Sequence, residues 1–338
     1  MAKKVTVGVV GLGMGRHHLR EFAACPRAEI LALCDIDQSR LRTAQEEFGA
    51  KHVFTDYRKM LQLPGLQAVS VVTPNRLHMP QTIAALQAGL HVMCEKPLAM
   101  NYAQAQRMVA EAKRRRRILM MHYNGRFCPE SFFLKRYVEE GRLGRIYFAK
   151  AAYIRRRGIP RLGSWFTQKA QSGGGALIDI GVHALDLALW LMGYPKPVEV
   201  VGGVYAKFGP ALASKTQPFD VDDLSCGLIR FADGATLFLE ASWHSNIARD
   251  AFSVHLLGTK AGAERNGGVH IYGEETGATV DWTPQRYTER VPSAQEHFVD
   301  CILSGRKPIA PGEEGMQTVR ILEAIYKSAA RGRAVHLA

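Results

Sequence analysis

Three ionisable residues interrupt an apolar segment, residues 172–193, and their types and spacing suit proton chemistry. Asp179, His183 and Asp186 recur at i, i+4 and i+7, which places them on one side of the predicted helix that Gly193 ends. An unpaired polar group buried in an apolar helix costs about 2–7 kcal/mol. These side chains therefore need either partners or a chemical function.

Two interpretations of this stripe stay open at the level of the sequence. In the first, it is an active-site face: an aspartate fixes the tautomer of a histidine whose ordinary pKa near 6.5 lets it carry a proton at neutral pH. In the second, a core histidine is held by a neighbouring carboxylate, and Asp179 caps the helix. The glycines at 173–175 would let another backbone or a ligand approach the start of the helix.

A glycine turn near the start of the chain is the second pattern that could do chemistry. A β-branched run at residues 4–10 leads into the turn, and a helical pattern follows from residue 16 to residue 24. This succession is typical of dinucleotide binding, because glycines let the backbone approach a pyrophosphate and the helix N-terminus supplies free N–H groups. The third glycine comes one residue earlier than in the standard pattern. The turn consists of Gly11, Leu12, Gly13, Met14 and Gly15.

Asp35 strengthens the dinucleotide interpretation. It ends the next apolar run, residues 29–34, where an acidic side chain takes the ribose hydroxyls and repels a 2′-phosphate. We therefore expect NAD rather than NADP, although Arg40 and Arg42 lie near enough in the sequence to weaken that discrimination.

Strands and helices alternate through the first 122 residues, which predicts a parallel, doubly wound sheet. Ligands of such sheets bind at the carboxyl ends of the strands, where this sequence becomes polar. The further predicted strands are 52–54, 68–72, 91–94 and 118–122, and the helices between them are 38–48, 57–61, 80–88 and 102–113. The polar segments that follow strands are 73–78, 95–97 and 122–126.

Two longer motifs identify a family resemblance. VVTPNRLHMPQTIAALQAGLHVMCEKPLA at 71–99 and GGGALIDIGVH at 173–183 strongly resemble the Gfo/Idh/MocA family of nicotinamide-dependent sugar and cyclitol dehydrogenases, over essentially the whole chain. The resemblance implies a Rossmann domain followed by an α+β domain with a mostly antiparallel, open-faced sheet. The cofactor-binding residues that we expect are Gly11, Leu12, Gly13, Met14, Gly15, Asp35, Thr73, Pro74, Asn75, His78, Glu95, Lys96 and Asn124.

The resemblance also implies a catalytic set of Lys96, Asp179 and His183. Oxidation of a hydroxyl needs a base for the proton and a cation for the developing alkoxide. We assign His183 as the base, Asp179 as its orienting partner and Lys96 as the electrostatic stabiliser, with Lys96 as the alternative base. For Glu95 the alternative role is to hold the strand end by hydrogen bonds.

The second half of the chain predicts a new, antiparallel sheet, with strands at 146–154, 198–204, 224–231, 235–244 and 251–257. A long irregular segment, 155–171, has a length typical of functional loops, and the family resemblance implies that it closes over the sugar, although a basic surface loop with a packed tryptophan explains it as well. The substrate-binding residues that we expect are Lys96, Arg126, Arg155, Arg156, Trp165, Asp179 and His183. The predicted domains are residues 1–122, 123–310 and 311–338, the last a helix packed back on the others.

Composition bounds the remaining properties of this chain. Its 338 residues carry a net charge of +13, and we interpret the basic cluster at 113–117 as a solvated helix end rather than a nucleic-acid site. The six cysteines lack metal-ligand spacing, and neither a membrane span nor a signal peptide is apparent, so we expect no metal and a cytoplasmic protein. The family resemblance implies a homodimer or homotetramer formed through the second sheet.

The expected function is an oxidoreductase that transfers a hydride between NAD and a secondary hydroxyl of a sugar, sugar derivative or inositol. The alternative is an NAD-dependent glycosidase that acts through transient oxidation of the bound sugar. A non-catalytic NAD-binding sensor is disfavoured because Lys96, Asp179 and His183 are all present.

Overall fold

The structure is a computed structural model that describes residues 3–337, so Met1, Ala2 and Ala338, at the outer ends of the predicted first and last domains, lie outside the described residues. The strands are β1 (Val5–Val10), β2 (Ala28–Cys34), β3 (His52–Phe54), β4 (Ala68–Val71), β5 (His91–Cys94), β6 (Leu119–Met121), β7 (Ile146–Ile154), β8 (Pro197–Tyr205), β9 (Leu224–Phe231), β10 (Thr236–Ser242), β11 (Ala251–Gly258), β12 (Gly262–Arg265), β13 (Val269–Glu275), β14 (Ala278–Trp282) and β15 (Val335–His336). The α-helices are α1 (Gly15–Ala24), α2 (Gln38–Phe48), α3 (Tyr57–Met60), α4 (Asn75–Gln87), α5 (Tyr102–Arg115), α6 (Pro129–Glu139), α7 (Lys169–Ser172), α8 (Val182–Leu191), α9 (Gly209–Leu212), α10 (Ala294–Ser304) and α11 (Gly312–Arg331).

The first unit is built on a parallel sheet with the strand order β3-β2-β1-β4-β5-β6. The residues of β4 are all buried, as expected for a parallel sheet that is covered on both faces. The predicted doubly wound sheet is thus confirmed. Because the chain reverses its direction of winding between β1 and β4, the ligand crevice of this sheet class is expected at the carboxyl ends of those two strands.

Helix α4 begins earlier than predicted, at Asn75 instead of Pro80. Proline lacks a backbone N–H and usually marks the start of a helix, which is why the sequence favoured residue 80. Here the N–H of Leu77 bonds the carbonyl of Pro74 at 2.8 Å, and Pro80 lies inside the helix. The start of α4 therefore follows the end of β4 within four residues.

The chain divides into its two units differently from the predicted boundaries. Among the described residues, 3–123 and 292–317 form the first unit, and 124–291 and 318–337 form the second. The sequence placed residues 292–310 in the second domain, but α10 packs against α1 and β1 of the first sheet. The division also passes through α11, which the sequence treated as one separate element.

The second unit holds a nine-stranded sheet with the order β14-β13-β12-β11-β7-β10-β9-β8-β15. Its neighbours pair antiparallel, apart from β7 with β10, so the predicted mostly antiparallel sheet is confirmed. Asp233 and Gly234 form the predicted hairpin between β9 and β10, with Gly234 at φ +87°. Strands β12 to β15 were not predicted, because they are short or poor in apolar residues.

A buried helix packs on one face of this sheet. It begins with a π-helical turn, Leu177–Gly181, continues as α8, and contacts β7, β10 and β11. Lys169–Leu191 is also apolar and long enough to cross a membrane, but 89% of the apolar window is buried, as in the core helix of a folded domain. The segment therefore serves as the core of the second unit.

Candidate functional site

The glycine turn after β1 has the shape that a pyrophosphate needs. Gly11 has φ +90°, and a Cβ there would lie 2.4 Å from the carbonyl oxygen of Val72, so only glycine fits. A Cβ on Gly15 would lie 3.1 Å from Val9 Cγ1, so this glycine lets α1 pack closely on β1 although it comes one residue early. A Cβ on Gly13 would meet only the flexible end of Arg40, at 3.9 Å. The turn is tight at its ends and open in the middle, beside the N-terminus of α1.

Asp35 lies against the same turn. Its Oδ2 accepts the backbone N–H of Leu12 at 2.6 Å and its Oδ1 accepts that of Asp37 at 2.9 Å. The side chain of Leu12 is buried, whereas that of Met14 is 68% exposed. The structure therefore brings the predicted cofactor residues of the turn and Asp35 together, with Leu12 contributing its backbone.

The segment after β4 is fixed by its own side chains. The hydroxyl of Thr73 donates to Gln81 Oε1 at 2.6 Å, and Asn75 is buried at the start of α4. His78 is 1% exposed, with Nδ1 at 2.7 Å from the Pro97 carbonyl and Nε2 at 2.8 Å from the Thr73 carbonyl. Burial lowers the pKa of His78. The two carbonyls act in the opposite direction, because they favour the protonated ring, but their effect is smaller.

This placement corrects the prediction for His78. Both of its ring nitrogens are engaged with backbone carbonyls inside the unit, so the side chain ties two loops together and has no nitrogen left to offer a cofactor. Its sequence position, in a polar segment after a strand, could not distinguish a residue that contacts a ligand from one that hydrogen-bonds to the backbone of two loops.

Glu95 follows β5 and accepts hydrogen bonds from two histidines. Its Oε1 lies 2.8 Å from His18 Nε2 and 2.6 Å from His122 Nδ1, and its Oε2 accepts the Lys96 N–H at 3.1 Å. Burial alone would raise the pKa of Glu95, but His122 and His18 hold it well below its usual value. Burial, with the neighbouring His122, lowers the pKa of His18 to about 4. Near neutral pH, Glu95 is therefore ionised and His18 is neutral.

In the second unit, the π-helical turn sets the orientation of the predicted aspartate and histidine. Asp179 lies in the turn and His183 follows in α8, and both are partly exposed while the residues around them are buried. Asp179 Oδ2 accepts the indole N–H of Trp243 at 3.0 Å, and the ring of His183 lies 6.4 Å from that of Tyr153. Single π turns in helices occur frequently at functional sites.

The third residue of the stripe, Asp186, has a different role. It is 2% exposed and forms a two-point ion pair with Arg126, at 2.9 Å to Nε and 2.6 Å to Nη2. The hydroxyl of Tyr194 donates to the same carboxylate at 2.6 Å. Asp186 lies after the π turn in the regular helix α8, three residues beyond His183, and its contacts with Arg126 and Tyr194 take its carboxylate into the core.

The same contacts correct the prediction for Arg126. Its side chain is fully buried, and its guanidinium is engaged with Asp186 and Tyr194, so it is not a substrate contact. Asn124, predicted to bind the cofactor, is exposed two residues earlier in the 3₁₀ turn Asn124–Arg126.

A buried carboxylate that the sequence analysis missed caps this helix. Asp222 accepts the N–H groups of Gly175 at 2.6 Å and Leu177 at 2.9 Å, and the hydroxyl of Tyr326 at 2.7 Å. A Cβ on Gly175 would lie 1.8 Å from the Asp222 carbonyl oxygen, so the glycine is required by another backbone. Asp179, which was predicted as a possible cap, is thereby left for other contacts.

The loop between β7 and α7 brings one of the predicted arginines to the aromatic residues near His183. Arg155 donates to the Tyr153 hydroxyl at 2.9 Å, and its guanidinium lies over that ring. Trp165 stacks on Phe166, with ring centroids 3.8 Å apart. Arg156 is exposed and is turned toward the carbonyl of Ala248, at 3.3 Å.

Lys96, the remaining predicted catalytic residue, follows Glu95 at the carboxyl end of β5, in the first unit. Asp179 and His183 belong to the second. Four partner residues were missed: His18, His122, Asp222 and Trp243. Each lies near a motif that was recognised, but which loop or helix its side chain reaches depends on tertiary structure.

Two family models match the chain. One, described as an oxidoreductase family with an NAD-binding Rossmann fold, matches residues 5–123, and the GFO/IDH/MocA C-terminal domain matches residues 133–264. The D-glucoside 3-dehydrogenase of Escherichia coli (strain K12) is 33% identical over 342 residues, which cover 98% of this chain and 97% of that protein.

Other relatives agree with these matches. The myo-inositol 2-dehydrogenase of Thermotoga maritima is 27% identical over 339 residues, which cover 98% of each chain. The solved structure of a levoglucosan dehydrogenase in complex with NADH matches with a TM-score of 0.90 at 26% identity, covering 99% of this chain and 100% of that one.

Proposed function

The chain belongs to the Gfo/Idh/MocA oxidoreductase family, and we propose on that premise that it transfers a hydride between NAD and a secondary hydroxyl of a sugar, sugar derivative or inositol. The observation that carries the proposal is the pair Asp179 and His183, which are partly exposed on a helix that is otherwise buried. A core role would have buried both side chains, as it buries Asp186, which is 2% exposed.

The turn of residues 11–15 and Asp35 would hold the NAD. The open backbone at Gly13 suits the pyrophosphate, and the Asp35 carboxylate, fixed at the turn by two N–H groups, suits the ribose hydroxyls of the adenosine. When bound, NAD supplies the hydride acceptor. A carboxylate at this position disfavours the extra phosphate of NADP.

The protein residues supply the proton chemistry in this proposal. Nε2 or Nδ1 of His183 accepts the hydroxyl proton of the substrate, and the Lys96 ammonium stabilises the negative charge that develops on the same oxygen. Asp179, held by the Trp243 N–H, orients the imidazole. If Lys96 is instead the base, His183 is the hydrogen-bond donor to the substrate.

The sugar would bind at Tyr153, Arg155 and Trp165. An aromatic ring packs against the C–H face of a sugar, and a guanidinium donates to hydroxyl or carboxylate oxygens. Arg155 over Tyr153 and Trp165 over Phe166 offer both kinds of group in the unit that carries His183.

The test is NADH formation by purified protein with NAD or NADP and a panel of glucosides, anhydrosugars, inositols, aldoses and sugar acids. We expect a signal with one substrate class and a higher kcat/KM with NAD than with NADP. If protein that binds NAD converts no member of the panel in either direction, the proposed function is wrong. Hydrolysis of an aryl glycoside without net NADH would instead indicate the glycosidase.

We propose in addition that the protein is cytoplasmic and that two copies of it pair. The pairing would use the exposed face of the second sheet. The strand register places Phe238 beside Lys150 and places Leu228 between Phe238 and Val201, all on the face opposite the buried Leu237. Phe238 is 36% exposed and Val201 is 43% exposed. Apolar side chains clustered on a sheet face are typical of a subunit interface. Light scattering should show a dimer or tetramer for the wild type and a smaller species for Phe238→Glu.

A further inference from the structure

Buried histidines hold both neighbours of Lys96. On the N-terminal side, Glu95 accepts from His18 and His122, and on the C-terminal side the Pro97 carbonyl lies 2.7 Å from His78 Nδ1. The three histidines are 1–6% exposed. They come from different parts of the first unit: α1, α4 and the segment after β6.

The hydrogen bonds around Glu95 are complete when both of its histidines are neutral. His18 donates from Nε2 to Glu95, and its Nδ1 accepts from the Ser70 hydroxyl at 2.8 Å. His122 donates from Nδ1 to Glu95, and its Nε2 lies 3.4 Å from Gln295 Nε2, a donor. The carboxylate thus keeps its charge and uses Oε2 to accept the Lys96 N–H.

The same three residues, His18, Glu95 and His122, are of types that bind metal ions. Their spacing argues for hydrogen bonds instead. The Glu95 oxygen lies 2.6–2.8 Å from each ring nitrogen, whereas two ligands of one tetrahedral zinc, each about 2.0–2.1 Å from the ion, lie about 3.4 Å apart. The contacts leave room for a proton and none for an ion.

Such a network matters because it fixes the backbone from which a reactive side chain extends. We propose that His18, His78 and His122 are positioning residues. By fixing Glu95 and Pro97, they hold the Lys96 backbone where its side chain can reach the reacting oxygen. This inference rests on the proposed function, in which Lys96 contacts the reacting oxygen. Displacement of a catalytic group by about 1 Å costs on the order of 100-fold in rate.

Glu95→Gln is the sharpest variant. A carboxylate accepts all three N–H groups, whereas an amide that accepts the two imidazoles at its oxygen directs its NH₂ at the Lys96 N–H, where two donors oppose each other. We expect kcat, measured at saturating NAD, to fall about 10- to 100-fold. His78→Gln, which acts from the other side of Lys96, should lower kcat in the same direction if Glu95→Gln does not fold.

The matched control is His91→Gln. His91 is also a partly buried histidine of low pKa, about 4, but it lies at the opposite end of β5, where its Nδ1 accepts the Ile118 N–H. We expect this variant to lower Tm with kcat within about twofold of the wild type. Equal losses of kcat in His91→Gln and Glu95→Gln, or an unchanged kcat in folded Glu95→Gln, would overturn the positioning role.

Amide hydrogen exchange separates this inference from the proposed function. The Lys96 N–H should exchange at least about tenfold faster in Glu95→Gln than in the wild type, whether or not any sugar is oxidised. Equal exchange would overturn the inference, and so would about one tightly bound metal ion per chain that is lost in the variant. A wild type that converts no substrate but shows the exchange difference would refute the proposed function alone.

Discussion

Tyr326→Phe tests the contribution of the buried hydrogen bond between Tyr326 and Asp222, the carboxylate that caps the buried helix. The Tyr326 hydroxyl donates to Asp222 Oδ1 at 2.7 Å, and burial together with that carboxylate raises the pKa of Tyr326 well above its usual value. The substitution removes one oxygen atom and leaves the ring, which packs against Gly174. The same carboxylate keeps its bonds to Gly175 and Leu177.

The expected loss follows from the bond type. A buried hydrogen bond to a charged acceptor contributes about 1.5–3 kcal/mol, and Oδ1 keeps one N–H donor, which favours the lower part of that range. For a unit of this size, each kcal/mol corresponds to about 2–4 °C in Tm, so Tyr326→Phe should lower Tm by about 3–8 °C. The helix start would loosen four residues before Asp179, so kcat should also fall.

Thermal and urea unfolding of the two proteins measure this loss. Tyr147→Phe is the control, because Tyr147 lies on β7 in the same unit, is 46% exposed and should change Tm by less than about 1 °C. If Tyr326→Phe is destabilised by less than about 0.5 kcal/mol, the buried hydrogen bond from Tyr326 to Asp222 does not contribute to stability as reasoned here.

Three further predictions concern the other charged groups. Asp35→Ala should raise the KM for NAD about tenfold or more. It should also lower the ratio of kcat/KM with NAD to kcat/KM with NADP, as measured by initial rates. Arg126→Met should destabilise the protein by about 3–5 kcal/mol in urea unfolding, because it leaves the buried Asp186 charge unpaired, without a selective rise in the KM for sugar. Stability should fall by up to about 3 kcal/mol as pH drops from about 6.5 to about 4, since the unfolded chain protonates His18 in that window and the folded chain does not. Titrated unfolding should show this slope, and His18→Gln should reduce it.

The first sheet could be predicted from the sequence because its strands are buried on both faces and read as apolar runs with polar residues at one end. Residues 91–94 and the polar Glu95–Lys96 that follow show this directly. The late strands escaped prediction because they are short or exposed: β14 alternates apolar and polar residues, but it has only 5 residues and is mostly exposed, too short a segment for that alternation to mark a strand.

The sequence predicted the types of residue in the site better than it predicted the hydrogen-bond and ion-pair partners of those residues. Asp179 and His183 were found from helical spacing, but that spacing also grouped Asp186 with them. The structure separates it, because Arg126 and Tyr194 hold the Asp186 carboxylate in the core. His78 shows the same limit: a polar residue after a strand can bind a ligand or a backbone carbonyl, and only the fold decides.

The most direct test of the account is transfer of label from substrate to cofactor. A sugar that gives a signal in the panel would be prepared with deuterium on the carbon that bears the oxidised hydroxyl, and the reduced cofactor would be examined by mass spectrometry after a single turnover. The account predicts one deuterium in NADH formed by the wild type, and a much slower appearance of the same labelled NADH with Lys96→Ala. Unlabelled NADH, or labelled NADH formed at the wild-type rate by Lys96→Ala, would contradict it.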